Sequence, residues 1–161
     1  MITDTPQPSE DRFMLQALAE ARAALANGDV PVGAVIVHDG RIIGRGHNQR
    51  ELMQDPTAHA EMIALTAASA SLENKFLKDC TLYVTMEPCP MCASAIVLSR
   101  IPTLVFGCYD PKMGGCGSVL NITENKKLNH KVHVIGGVLD GDCGGLLKDF
   151  FGKKRKGMDN R

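Results

Sequence analysis

Tryptophan is absent from this chain, and aromatic residues make up only 4% of it. A core without large rings has to be filled by Ala, Val, Ile, Leu and Met. Neither sign of charge is in excess. Eighteen Lys and Arg balance eighteen Asp and Glu, so net charge alone gives no pull towards a polyanion. Long apolar runs are missing as well. The longest, Val32 to Val37, has Gly33 inside it and falls far short of the roughly 20 residues that span a bilayer. The opening MITDTPQPSEDR is polar and acidic, unlike a secretory signal, and predicts a cytoplasmic protein with no membrane association. In that reducing setting six cysteines do not imply three disulfides. A C-x-x-C pair leans towards metal or redox chemistry.

What is present fits one compact unit. The chain has 161 residues, 44% hydrophobic and 22% charged, enough for one domain and too few for two ordinary ones. The expected core covers about residues 10–152. A polar N-terminus precedes it, with Asp4, Glu10 and Asp11, and a basic tail follows it, with Lys153, Lys154, Arg155, Lys156 and Arg161. A basic tail reads either as an RNA contact or as a solvated terminus.

Ser9 is a plausible helix cap, and Met14, Leu18, Ala21 and Leu25 repeat at helical spacing up to Asn27-Gly28. Gly33–His38 and Arg41–Gly46 read as strands around an Asp39-Gly40 hairpin turn. Thr57 is read as the cap of a helix running to about Ser71. Thr81–Thr85 reads as a strand. Pro90 sits in the first turn of a helix that ends near Ser99. Thr103–Cys108 and Lys131–Gly136 read as two more strands, and residues 142–154 as the last helix. A hairpin followed by alternating helices and strands predicts a three-layer α/β/α fold around one five-stranded mixed sheet.

Two stretches carry chemistry. PTAHAEMIAL, from Pro56, holds His59 and Glu61. TMEPCPMCASA, from Thr85, holds Cys89 and Cys92, with twenty-nine residues between His59 and Cys89. Both residue pairs fall at predicted helix starts after strands, where the helix ends can meet. One imidazole and two thiolates suit Zn²⁺, one ion per chain. The other four cysteines form no second C-x-x-C, so three protein ligands and an open water position are expected. Glu61 beside that position is the candidate proton carrier. Glu87 is a competing carboxylate, better read as a structural hydrogen-bonding group.

Together, H-A-E and P-C-P-M-C form the signature of zinc-dependent nucleobase deaminases. The chain closely resembles the bacterial tRNA-specific adenosine deaminases. The stretches VPVGAV, DPTAHAE, TLYVTMEPCPMCASAI, VFGCYDPKMGGCGS and LNHKV carry the likeness. It implies a cytidine deaminase-like fold, usually a homodimer. It also implies hydrolysis of the wobble adenosine in a tRNA anticodon stem-loop, chiefly of an arginine tRNA, to inosine. In that reading zinc-activated water attacks C6 and Glu61 shuttles the proton. Asn48 matches the asparagine that binds the purine. Asp110, Asn129 and His130 match residues that touch the RNA. The rival is a free-base guanine or cytosine deaminase with the same metal chemistry.

Overall fold

The computed structural model describes residues 8–159, with side chains from 10 to 157. Asp4, Arg161 and the side chain of Ser9, weighed above, lie outside the described residues. Helix α1 spans Pro8–Ala26, which puts the backbone of Ser9 inside its first turn. Met14, Ala17, Leu18, Ala21 and Ala24 are buried along one stripe. Leu25, which its spacing placed on that stripe, is exposed, and Ala24 takes its place one residue earlier.

Strand β1 (Gly33–His38) and strand β2 (Arg41–His47) form an antiparallel hairpin. Both turn residues, Asp39 at φ 49° and Gly40 at φ 73°, are left-handed, as a two-residue hairpin turn requires. A short helix α2 (Arg50–Met53) comes next and was not expected. Helix α3 follows at Ala60–Leu72, then strand β3 (Cys80–Met86), helix α4 (Pro90–Leu98), strand β4 (Thr103–Cys108) and strand β5 (His133–Ile135). Helix α5 spans Asp140–Asp159, longer at both ends than its pattern suggested. The basic run therefore continues a helix. β5 covers only the middle of the predicted Lys131–Gly136 strand.

The sheet order is β2-β1-β3-β4-β5. β1 is antiparallel to both its neighbours, while β3, β4 and β5 run parallel. One face lies on α1, where the Phe13 and Tyr83 rings meet at 5.3 Å. α5 packs on that same face, with Cys143 against Gly107. The other face receives α3. There Gly44 and Gly46 leave no room for a side chain, since a Cβ on Gly46 would stand 2.3 Å from the Ala60 carbonyl oxygen. Helices on both faces complete the three layers expected. β2 and the parallel strands β3 and β4 end at one edge of the sheet, where β1 begins. Ligand sites in open α/β sheets gather at such carboxyl ends.

Candidate active site

His59 immediately precedes α3, and Cys89 immediately precedes α4; each occupies the N-cap position and neither side chain caps its helix. Thr57 is not the cap. Its N–H and hydroxyl both donate to Asp55 Oδ1 at 2.8 Å, which closes a turn before the helix. α3 also does not follow a strand directly, since α2 intervenes. The ends of α3 and α4 still meet as expected. His59 Nδ1 stands 3.6 Å from Cys89 Sγ and 3.5 Å from Cys92 Sγ. Zinc bonds of about 2.0–2.3 Å in a tetrahedron put ligand atoms roughly 3.5 Å apart, so these donors fit one such ion. Among the described residues no fourth His, Cys, Asp or Glu joins the group.

As bare thiols the two cysteines share a proton. The Cys92 thiol, and then His59, bring Cys89 down to about 4, while the neighbouring Cys89 sulfur and burial push Cys92 up. Hydrogen bonding to Cys89 raises His59. The helix amides and dipole favour the same anionic donors. By contrast, burial raises Cys108, Cys116 and Cys143 to about 11, 12 and 12, leaving them as protonated core thiols.

Glu61 lies in the first turn of α3, only 4% exposed, and burial raises its carboxyl above the usual range. That keeps it poised to hold or release a proton nearer neutrality. Asn48 directly follows β2 and is 7% exposed. Its Oδ1 accepts the Ala60 N–H at 2.9 Å. Asn48 also lines the cleft, and its Nδ2, not used in that bond, is a donor.

Glu87 is buried, and its oxygens are occupied by the loop after β4. Asp110, in that loop, accepts the N–H groups of Lys112 and Met113 with Oδ1, so its carboxylate folds its own turn.

Asn48, His59, Glu61, Glu87, Cys89 and Asp110 line a cleft of about 1360 Å³, with Cys92 buried behind it. Sites for small ligands run to about 1,000 Å³, so this one has room for more than a base. Its rim holds Arg50, Lys112, Lys148, Lys154 and Arg155, together with Phe151, which is 40% exposed. Lys112 lies in the VFGCYDPKMGGCGS stretch and Lys148 in the basic C-terminal segment, whereas Arg50 was missed by sequence reasoning. The only signal was Arg50 two residues after Asn48. Asn129 and His130 do not line the cleft. Asn129 is exposed, and His130 Nε2 donates to the Ile101 carbonyl at 2.6 Å, by the starting ends of β4 and β5.

The MafB19-like deaminase family model matches residues 8–155. A tRNA-specific adenosine deaminase of Bacillus subtilis (strain 168) is 47% identical over 147 residues, 91% of each chain. The chain belongs to the tRNA-specific adenosine deaminase family. A structure solved in a study of A-to-I editing by tRNA:A34 deaminases at the wobble position has 40% identity and a TM-score of 0.81. The match covers 84% of this chain and 99% of that one. The guanine deaminase of Bacillus subtilis also shares 40% identity, but over 62% of this chain and 64% of its own, with a TM-score of 0.60. The tRNA-specific adenosine deaminases are alike in sequence along nearly the whole chain, whereas a guanine deaminase of Nitrosomonas europaea, matching 91% of this chain with a TM-score of 0.77, shares only 24% identity and so the fold alone.

Proposed function

We infer that this protein hydrolyses the wobble adenosine of a tRNA anticodon to inosine, releasing ammonia. The observation that carries it is a His59–Cys89–Cys92 centre with Glu61 beside it, at a wide cleft with five cations on its rim. His59, Cys89 and Cys92 would hold one zinc ion per chain. A zinc ion there supplies a Lewis acid that lowers the pKa of water from 15.7 to about 7.

Glu61 takes one proton from the attacking water and gives it to purine N1, then carries the second, from the new C6 hydroxyl, to the departing amino group, which leaves as ammonia. Its burial shields it from bulk water, and a carboxyl placed beside the reacting atoms can both take and give a proton. Asn48 Nδ2 donates to an acceptor on the purine edge. The rim cations neutralise phosphates of the anticodon arm. Asp110 shapes the loop that meets the RNA.

Asn129 and His130 are assigned to anticodon nucleotides by family likeness. They stand at the opposite edge of the sheet from His59. A homodimer offers a way for them to reach RNA held by the partner. An arginine tRNA as substrate and the cytoplasm as location rest on the same likeness. No described helix is long and apolar enough to cross a membrane.

The test is side-by-side turnover of an anticodon stem-loop with adenosine at the wobble position, free guanine and free cytosine. Inosine from the stem-loop is expected. Deamination of a free base alone would overturn the reading.

A further inference from the structure

Glu87 is 3% exposed, and no Lys, Arg or His of the described residues pairs with it. A buried carboxylate without a cation costs several kcal/mol, on the order of a whole domain's margin, unless hydrogen bonds replace its water. Here four donors do so. Oε1 accepts the Asp110 N–H at 3.2 Å and the Ser118 hydroxyl at 2.5 Å. Oε2 accepts the N–H groups of Cys116 at 3.2 Å and Ser118 at 3.1 Å.

All four donors belong to one loop. That loop also lies directly on the turn that presents Cys89. The Gly115 N–H donates to the Pro88 carbonyl at 2.7 Å. A Cβ on Gly114 would stand 2.1 Å from Glu87 Oε2, and one on Gly115 2.9 Å from the Cys89 carbonyl carbon. Two adjacent glycines thus allow the loop to close onto the carboxylate and the metal-ligand turn together. The outer side of the loop, Tyr109 to Met113, lines the cleft.

We propose that Glu87 is a positioning residue for the deamination: its carboxylate fixes the 110–118 loop to the Cys89 turn, so that the RNA-facing residues sit at a set distance from the reacting centre. Every lone-pair direction of the Glu87 carboxylate is answered by a loop donor, which makes it an anchor for that loop. The proposal rests on the deamination reading for its kinetic part, but not for its structural part.

Glu87→Gln is the decisive variant. An amide NH₂ at the Oε2 position meets two N–H groups, and at the Oε1 position it meets the Asp110 N–H, so at least one loop bond is lost in either orientation. In zinc-loaded protein, KM for the anticodon stem-loop is expected to rise about tenfold, the equivalent of one lost hydrogen bond, with kcat little changed. Amide hydrogen exchange at Asp110, Cys116 and Ser118 should quicken while α3 and α4 stay protected. A drop in kcat at unchanged KM would make Glu87 a proton carrier and overturn the proposal. Unchanged KM and unchanged exchange would overturn it too. If Glu87→Gln does not hold metal, Ser118→Ala decides, because it removes one donor and leaves the carboxylate. It should raise KM about threefold, and an unaltered KM there rejects the anchor. If the unmodified protein makes no inosine, the reaction assignment fails, while loop exchange in the variants still reads the anchor.

Discussion

Asn48 Oδ1 accepts the N–H of Ala60 at 2.9 Å, so the residue directly after β2 also secures the helix start that carries His59 and Glu61. Asn48→Ala removes both the bond and the Nδ2 donor. We expect a stability loss of about 1–3 kcal/mol, since Ala60 N–H is left unpaired in a buried place, together with a fall in kcat/KM. Asn48→Asp keeps an acceptor for Ala60 and should recover stability but not activity. Denaturant unfolding paired with stem-loop kinetics separates the two roles. Recovery of both by Asp would refute the purine-contact role.

Glu61→Gln preserves size and burial but cannot carry a proton. Zinc content and RNA affinity should stay as they are while kcat falls about a hundredfold or more, the usual worth of positioned acid–base catalysis. Single-turnover assays with metal analysis on the same sample check this. Near-normal turnover would send the proton through another group.

Zinc removal should inactivate the protein and lower its melting temperature, because metal binding contributes folding free energy. Cys89→Ala should copy both effects, with no rescue by added zinc. Calorimetry before and after chelation, with elemental analysis, is the measurement. Full metal retention by Cys89→Ala would contradict the ligand assignment.

Gly46→Ala is expected to destabilise by about 3 kcal/mol, because its Cβ would meet the Ala60 carbonyl at 2.3 Å and the Ala64 N–H nitrogen at 2.7 Å. The strain falls on α3, so weaker zinc binding should accompany it. Thermal unfolding and zinc competition read both.

Lys154 and Arg155 line the cleft on α5. Replacing both with alanine should flatten the slope of log affinity against log salt by about 1.5 if each neutralises one phosphate. Saturating kcat should hardly change, since neither residue touches the His59 centre. An unaltered slope over a salt series would assign these cations to solvent.

The centre was legible because its signal is short and chemical: His59, Glu61, Cys89 and Cys92 need only two helix starts at one sheet edge. The hairpin was legible from Asp39-Gly40, whose conformations few other pairs tolerate. Helix α2 was not, because four residues are too few to show a period. Thr57 resembled a cap, but the adjacent Asp55 competes for the same hydroxyl and amide and wins. Leu25 and Ala24 show the limit of spacing, since either fits a helical stripe and only packing against the sheet selects the smaller. The rim cations were invisible as a set. Arg50, Lys112 and Lys148 come from three separate elements, and nothing local marks them as neighbours.

His59 and Cys89 stand at two helix starts that their own side chains leave uncapped. One of those helices rests on the hairpin half of the sheet, and the other links two strands of the parallel half. An ion gripping both would act as a clasp across ligands thirty residues apart in the chain, and the stability it adds would be lost with it. Loading and closure become one event. A copy that misses its ion is expected to open more readily to proteases, and so to be cleared before it can occupy anticodons without turning them over.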